Sequence, residues 1–299
     1  MLIAGNARGL RRHLAGALAT IRLLRAERPR VVWYQYSVAL GAVIALYVRL
    51  AHATALADVH TKALYRRLDG PAGALLHWVK RWSLRACRAV LVANDQNAAY
   101  ARERLCLDPV VLPDPPPVPV PGGIVAGESP SDVVFICSFA PDEPVGFIAE
   151  VAGRVRSELS VAVTGDPEQL SAGARESLSL VARLTGFLPD ADYWALLRHA
   201  RCIVVLTTES GCVPCGAYEA MALGRRPVVF DDAAVRSVFG DDAVYIAPHA
   251  DEALTAIEGE LRRDPVDSWS HRPYQGRWGG RWAEVSRRLE SHGLMEEAR

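Results

Sequence analysis

Ten short apolar runs give the sequence its organisation, and each run is followed by small or polar residues and then by a stretch with helical spacing. The runs are rich in Val and Ile and are apolar on both faces, which is typical of parallel strands covered by helices. This alternation predicts an α/β fold with right-handed crossovers. The predicted strands are Val31–Ser37, Ala53–His60, Ala89–Asp95, Val110–Asp114, Asp132–Cys137, Val161–Asp166, Leu184–Leu188, Cys202–Thr208, Pro227–Asp232 and Ala243–Pro248.

A proline-rich stretch separates two sets of strands. Residues 113–132 hold seven prolines and three glycines, a composition that continues neither a helix nor a sheet. We therefore expect a first α/β domain at residues 1–118, a linker at 119–131 and a second α/β domain at 132–265. Residues 266–299 are expected to form a helical segment that packs back on the body, because Trp278, Trp282, Val285 and Leu289 have helical spacing.

Composition limits the classes of partner. The chain has 299 residues, half of them hydrophobic, so it can bury a substantial core. It carries 34 basic and 34 acidic residues, and this balance argues against nonspecific nucleic-acid binding, which depends on neutralising phosphates. The six cysteines are scattered, and the start "MLIAGNARGLRRHLAG" lacks the apolar region of a secretory signal. We expect free thiols and a cytoplasmic location.

One segment has the composition of a membrane span. Residues 31–48, "VVWYQYSVALGAVIALYV", are uncharged and long enough to cross a bilayer. The alternative is a buried strand followed by a buried helix. Gln35, Ser37 and the turn-like Gly41 favour the strand and helix.

The stretch "TTESGCVPCGAYEAMALGRRPVV", residues 207–229, allows two interpretations. Cys212 and Cys215 form a C-x-x-C pair where a strand runs into a helix, which is how a dithiol redox centre looks. A helix start there would also lower the pKa of Cys215. The other interpretation is a phosphate site, because the unpaired amides and the dipole of a helix start attract anions. Gly216 would let the ligand approach the backbone.

Three predicted strands end in residues suited to a ligand site, since ligands of open α/β sheets gather beyond the carboxyl ends of the strands. These ends carry Gly165, the pair Phe187 and Leu188, and Thr208 with Glu209. One turn into the following helix, Glu219 is placed to accept hydrogen bonds from a ribose diol. The alternative for Glu219 is an ordinary first-turn glutamate stabilised by the helix dipole.

The same stretch, with "LTGFLPDADYWALLRHARCIVVL" before it, resembles the donor-binding half of retaining, nucleotide-sugar-dependent glycosyltransferases of family-4 type. The resemblance rests on Glu219-Ala-Met-Ala and on Gly224-Arg-Arg-Pro-Val-Val, and it covers about residues 130–250. It implies the GT-B fold, in which two Rossmann-like domains face a cleft. Only nine residues precede the helix expected at Leu10–Ala26, so the N-terminal domain is expected to lack the family's first strands and to be reduced.

The resemblance also implies roles for individual residues. Glu219 would bind the ribose, the amides of Cys215, Gly216 and Ala217 would face the pyrophosphate, Phe187 and Leu188 would flank the base, and Glu209 would contact the donor sugar. Gly165, Thr208 and Gly211 complete the expected donor site. The family's basic residues after the first strands of this domain are missing here, so the phosphate charge is expected to be met by Arg225 or Arg226, or by the backbone alone. Since these residues explain a sugar nucleotide, and the C-x-x-C pair lies late in the second domain, we favour the phosphate site over the redox centre.

The expected reaction moves a sugar from a nucleoside-diphosphate sugar to a hydroxyl, with retention and without a metal or cofactor. Asp58 and His60, at a strand end in the first domain, are candidate catalytic residues, and a structural role for His60 is the alternative. Two other functions remain open. One is a non-catalytic sugar-nucleotide-binding or scaffold protein, favoured by the acidic Asp142 and Glu143 in a segment without basic residues. The other is a sugar-nucleotide epimerase of the same architecture.

A tryptophan-containing helix suggests where an acceptor could be found. Residues 74–88 place Leu75, Trp78, Val79 and Trp82 on one side and Arg81, Arg85 and Arg88 on another. A basic amphipathic helix of this kind suits an anionic membrane surface, and lipid-linked acceptors or polysaccharide precursors are expected partners. The alternative, which we favour, is a solvated helix with its apolar side in the core.

Overall fold

A computed structural model describes residues 10–65, 69–115, 117–121, 130–263 and 272–290. The chain divides into two compact units, residues 1–113 with 279–299, and residues 114–278. The domain boundaries expected from the sequence stay predictions, and most of the expected linker lies outside the described residues.

The first unit is a four-stranded sheet with helices. Its strands are β1 (Val31–Gln35), β2 (Thr54–Val59), β3 (Ala89–Val92) and β4 (Val110–Val111). Its helices are α1 (Leu10–Glu27), α2 (Val38–Ala51), α3 (Thr61–Tyr65), α4 (Gly70–Arg85) and α5 (Asp95–Leu105). The strands are parallel and lie in chain order, β1-β2-β3-β4.

Residues 31–48 form a strand and a helix, as expected. Ser37 caps α2 by accepting a hydrogen bond from the amide of Leu40. Gly41 is not in a turn: it lies inside α2, where a Cβ atom would come within 2.4 Å of the Tyr36 ring. Its missing side chain makes room for the Tyr36 ring against α2. No helix among the described residues is both long and apolar enough to span a membrane.

The orientation of α4 differs from the expectation that its apolar side faces the core. Leu75 and Trp78 are exposed, at 61% and 60% of their surface, while Lys80, Ser83 and Leu84 are buried. The buried Lys80 is satisfied because its Nζ donates to the carbonyl of Leu64 at 2.7 Å. Helical spacing therefore identified residues that share a face of α4. We expected that face to be buried in the core, but Leu75 and Trp78 on it are exposed to solvent.

The second unit contains the larger sheet. Its strands are β5 (Val133–Ile136), β6 (Val161–Val163), β7 (Arg183–Leu184), β8 (Cys202–Val205), β9 (Val228–Phe230) and β10 (Val244–Ile246). Its helices are α6 (Val145–Arg154), α7 (Ala172–Ser179), α8 (Asp190–His199), α9 (Cys215–Ala222), α10 (Ala233–Phe239) and α11 (Ala250–Leu261). The last helix, α12 (Arg272–Glu290), begins in this unit, and its residues from Gly279 onward belong to the first.

The order of the second sheet creates a crevice. All six strands are parallel and follow the order β10-β9-β8-β5-β6-β7. From β5 the chain moves outward through β6 and β7, then returns to place β8 on the other side of β5. The loops after β5 and β8 therefore lead to helices on opposite faces of the sheet. Open α/β sheets bind ligands at such a switch point.

The core of this unit lies on both faces of the sheet. Val133, Phe135, Val204 and other residues pack with α6 and α11 on one face, whereas Val134, Ile203 and Val229 pack with α8, α9 and α10 on the other. Nine of the ten predicted apolar runs contain one whole strand of the structure, and the run Leu184–Leu188 overlaps β7 only at Leu184. The sequence expectation of parallel strands covered by helices is confirmed.

Candidate functional site

A cavity of about 280 Å³ opens at the carboxyl ends of β8 and β9. Its polar lining comes from the loops that follow these strands, and Pro214 at the start of α9 and Val235 of α10 add apolar walls. The polar lining residues are Thr207, Thr208, Glu209, Ser210, Asp231 and Asp232. This lining combines hydroxyl groups with carboxylates, and such groups recognise a polyhydroxylated ligand.

The loop after β8 is held by the loop after β5. The amide and hydroxyl of Thr208 both donate to the carbonyl oxygen of Asp142, at 2.7 and 2.9 Å. The Thr207 hydroxyl donates to the Asp142 carboxylate at 3.0 Å. The Glu209 carboxylate, by contrast, has no hydrogen bond or ion pair within the described residues, and it lines the cavity.

The loop after β5 is itself organised by an acidic side chain. One carboxylate oxygen of Glu143 accepts hydrogen bonds from the amides of Ser138 and Ala140, at 2.9 and 2.8 Å, and from the Ser138 hydroxyl at 3.0 Å. Asp142 and Glu143 thus have structural contacts in these two loops. Their presence does not by itself favour a non-catalytic protein.

The start of α9 has amides available for an anion. Pro214 precedes the helix and provides no side-chain cap. The amide of Ala217 is already used, since it donates to the carbonyl of Pro214 at 3.0 Å. The Gly216 amide has no hydrogen-bond partner in the part of the chain that the structure describes. The expected set of three amides therefore reduces to those of Cys215 and Gly216.

Two glycines of the site are required by packing. A Cβ atom at Gly216 would lie 2.7 Å from Cγ2 of Ile136, the last residue of β5. A Cβ atom at Gly165 would lie 2.5 Å from the carbonyl oxygen of Cys137. The sequence attributed Gly216 to the approach of a ligand, whereas the structure shows that the glycine lets α9 rest on the central strand.

Glu219 is joined to α8. The hydroxyl of Tyr193 donates a hydrogen bond to Oε2 of Glu219. Burial raises the pKa of the Glu219 carboxyl above its usual range, and the hydrogen bond from Tyr193 works in the opposite direction. Burial and the neighbouring Glu219 charge raise the pKa of Tyr193, so this phenol remains a donor. The pair places one oriented carboxylate a turn beyond the α9 amides.

The thiols of this region do not have the environment of a redox centre. Cys212 and Cys215 form no disulfide among the described residues, and Cys215 is exposed. Desolvation raises the pKa of Cys215, and the carboxylates of Asp114 and Glu219 raise it further. This direction is opposite to the lowering expected from a helix start, because the nearby negative charges disfavour a thiolate.

The two residues that were expected to flank the nucleotide base differ in their exposure to solvent. Phe187, after β7, is 90% exposed, so its ring is accessible for stacking. Leu188 is partly buried against the core that α8 and α9 share. On the same edge of the sheet, the amide of Gly211 donates to Asp232 at 3.3 Å.

Arg225 is not brought to this edge of the sheet. It follows the end of α9 and precedes β9, so it lies near the amino ends of the strands. Its guanidinium reaches the carbonyl of Arg198 at 3.5 Å, and it interacts with Cys202 at the start of β8. The expectation that Arg225 meets the phosphate charge is corrected by this position, because α9, with its eight residues, spans about 12 Å between the two edges.

The acceptor-side candidates lie together in the first unit. Asp58 is on β2 and His60 directly follows that strand. Nε2 of His60 and Oδ2 of Asp58 are 3.3 Å apart, and both side chains are partly exposed, at 45% and 41%. Their catalytic roles stay predictions.

Sequence reasoning missed several residues of the site. The sequence does not single out Tyr193, because its contact with Glu219 requires α8 to pack beside α9. Asp231 and Asp232 follow β9, and the rule that strand ends gather ligands could have identified them. Among the described residues, no group of three or more His, Cys, Asp or Glu is arranged to hold a metal.

A comparison with models of protein families gives a match within the second unit. Residues 130–262 match the model described as glycosyl transferases group 1, and this range contains the cavity, α9 and the Tyr193–Glu219 pair. No curated protein sequence matched the chain.

Solved structures are similar over almost the whole chain. A glycosyltransferase from Rickettsia africae has a TM-score of 0.64 at 10% identity and covers 97% of this chain and 84% of its own. Anabaena Alr3699/HepE, solved in complex with UDP and glucose, has a TM-score of 0.65 at 14% identity, with 96% and 84% covered. A putative UDP-N-acetylglucosamine 2-epimerase from Listeria monocytogenes has a TM-score of 0.59 at 13% identity, with 97% and 82% covered.

These neighbours give the chain the GT-B fold with two Rossmann-like domains, as expected. The match to the model of glycosyl transferases group 1 spans residues 130–262, a little under half of the chain. The matched domain and the shared fold together support an enzyme of the glycosyltransferase class.

Proposed function

We propose that the protein transfers a sugar from a nucleoside-diphosphate sugar to a hydroxyl acceptor. The observation that carries this proposal is the arrangement at the switch point of the second sheet. There, the amides at the α9 start, the oriented Glu219 carboxylate and a polyol-suited cavity lie within the matched glycosyl transferase domain. The solved complex of the Anabaena protein with UDP and glucose supports this class of donor.

Each group has a part in binding the donor. The amides of Cys215 and Gly216, with the dipole of α9, hold the diphosphate. Glu219, oriented by Tyr193, accepts hydrogen bonds from the ribose hydroxyls. Phe187 stacks on the base, since its ring is exposed at the same edge. The cavity receives the sugar, with Glu209 as its unpaired acceptor.

The same groups promote the reaction. Breaking the glycosidic bond leaves negative charge on the departing diphosphate, and preorganised amides stabilise that charge more strongly than they stabilise the intact donor. We propose retention of configuration and independence of metal on the basis of the family-4 resemblance. Activity that survives chelation with EDTA would support metal independence, and the anomeric configuration of the first product, read by NMR, would decide the stereochemistry.

Two other functions make different predictions. A sugar-nucleotide epimerase is represented among the structural neighbours, and it would convert the donor sugar without an acceptor. A scaffold protein would bind the donor and leave it unchanged. The match of residues 130–262 to glycosyl transferases favours transfer over both.

Calorimetric titration with UDP-, GDP- and ADP-sugars separates these functions. We expect one nucleotide class to bind and to be slowly hydrolysed, because water can replace a missing acceptor. Glu219→Ala should weaken binding roughly tenfold, whereas the matched variant Glu176→Ala, on the surface of α7, should bind as the wild type does. Binding without turnover favours the scaffold, an epimerised sugar favours the epimerase, and no binding by any donor contradicts the proposal.

The acceptor side carries an exposed apolar surface with positive charge. Leu46 and Leu50 of α2 are 54% and 83% exposed, and Leu75 and Trp78 of α4 are similarly exposed. Arg49 lies over the Trp82 ring at 4.9 Å, and Trp82 stacks on Trp78 with ring centroids 6.1 Å apart. Neither helix contains Asp or Glu. We propose that this surface binds an anionic membrane and that the acceptor is lipid-linked.

Liposome flotation tests the membrane proposal. We expect binding to vesicles that contain phosphatidylglycerol and little binding to neutral vesicles. Trp78→Ser should abolish most of the binding, and changing Arg81, Arg85 and Arg88 to Gln should weaken it. Leu180→Ser removes an equally exposed apolar residue of the second unit and serves as the matched control. Binding that persists in both α4 variants contradicts the proposal.

A further inference from the structure

The cavity beyond β8 and β9 presents negative charge and no compensating cation in its lining. Glu209, Asp231 and Asp232 line it, and none of the described residues that line it is Lys or Arg. The charges of these three carboxylates are balanced to different degrees by their surroundings.

Asp231 is neutralised by a neighbour. Its Oδ2 accepts a hydrogen bond from Nη2 of Arg236 at 2.8 Å, and Oδ1 is bonded to Nε of the same guanidinium. The hydrogen bond from Arg236 holds the pKa of Asp231 below its usual range. A bidentate pair of this kind contributes little net charge to the cavity.

Asp232 keeps its charge. Its carboxylate accepts hydrogen bonds from the Ser210 hydroxyl at 3.1 Å, from the Gly211 amide at 3.3 Å and from the Ala234 amide at 2.8 Å. All three donors are neutral, so they hold the carboxylate in place without cancelling its charge.

Glu209 adds a second charge on the other loop. Its carboxylate has no partner within the described part of the chain, and the loop that carries it is fixed by the contacts of Thr207 and Thr208 with Asp142.

We propose that this cavity selects the donor sugar by charge and takes a neutral sugar in preference to a uronic acid. The inference rests on the proposed function, because it assigns the cavity to the sugar of the donor. A neutral hexose offers hydroxyl hydrogens that can donate to Glu209 and Asp232. A uronic acid of the same size brings a carboxylate that can only accept, so it meets like charge.

The experiment compares donors that differ at one carbon. Affinities are measured by calorimetry for UDP-glucose and UDP-glucuronic acid, for GDP-mannose and GDP-mannuronic acid, and for UDP and GDP alone. We expect the neutral sugar of the accepted nucleotide to bind at least roughly tenfold more tightly than its uronic acid, about 1.4 kcal/mol. Glu209→Gln should narrow this ratio by improving the affinity for the uronic acid. Glu176→Gln makes the same chemical change outside the cavity and should leave the ratio unchanged.

The outcomes separate this inference from the proposed function. Binding of UDP or GDP together with equal affinities for the neutral and acidic sugars overturns charge selection and leaves the donor site intact. A ratio that Glu209→Gln does not change also overturns charge selection by this cavity. Failure of UDP, GDP and their sugars to bind, together with failure of the ADP-sugars in the titration described above, overturns the proposed function and this inference with it.

Discussion

The Tyr193 hydroxyl donates a hydrogen bond to the Glu219 carboxylate, and through it α8 orients the acidic side chain of α9. The carboxylate is half-buried, and burial raises its pKa. Within the described ranges, the Tyr193 hydroxyl is the one side-chain donor that orients the group we assign to the ribose.

Replacing Tyr193 with Phe should lower donor affinity about three- to tenfold, since one hydrogen bond contributes about 1 kcal/mol. It should also raise the pKa of Glu219 further, because the Tyr193 hydrogen bond lowers it. The pH at which donor affinity falls to half should therefore move upward, and calorimetry over a pH series measures this shift. Tyr47→Phe removes a hydroxyl that donates to the carbonyl of Pro29 in the first unit, and it serves as the control. An unchanged pH profile in Tyr193→Phe would contradict the orienting role.

Replacing Glu219 with Gln should weaken donor binding by up to about tenfold and yet raise the stability of the protein at neutral pH. The pKa of Glu219 is raised in the folded state, so its ionised form is less favourable there than in the unfolded chain. This cost is present above the folded pKa, shrinks as the pH falls through it, and is absent below the unfolded value of about 4.3. We expect a rise in melting temperature on the order of 2 °C at pH 7 and none at pH 4. A rise of the same size at both pH values would exclude this origin.

Replacing Phe187 with Ala should weaken nucleotide binding about tenfold, because stacking of an aromatic ring on a base contributes about 1–3 kcal/mol. The ring is 90% exposed, so the melting temperature should stay within about 1 °C of the wild-type value. Inorganic pyrophosphate, which has no base, should bind equally to both proteins. A parallel loss of pyrophosphate affinity would show that the substitution acts through the α9 start instead.

Replacing Gly216 with Ala should destabilise the second unit, by about 1–3 kcal/mol, because the added Cβ would lie 2.7 Å from the Ile136 side chain. Chemical denaturation measures this change. The double variant Gly216→Ala with Ile136→Ala removes the clash, so it should be more stable than the two separate losses predict. Simple additivity of the two single variants would argue that the glycine is not required by this contact.

The sequence contained enough information for the fold because the Val- and Ile-rich runs mark strands regardless of their neighbours. It was less informative about the faces of helices. Spacing grouped Leu75 with Trp78, but the burial of Lys80 depends on the Leu64 carbonyl, which only the tertiary structure brings close. Arg225 was expected to meet the phosphate charge because the segment after the first strand of the second domain has no basic residue, but the length of α9 carries Arg225 to the opposite edge of the sheet.

The contacts of Asp142 with Thr207 and Thr208 have a consequence for the entry of the donor. They join the two loops on either side of the switch point, so the strand-to-helix segment that faces the ligand is ordered when the protein folds. The loop therefore loses its conformational entropy when the protein folds, and not when the donor binds. A loop braced in this way favours recognition by a rigid, preformed surface, and severing the brace should slow capture of the nucleotide more than it alters the contacts made afterwards.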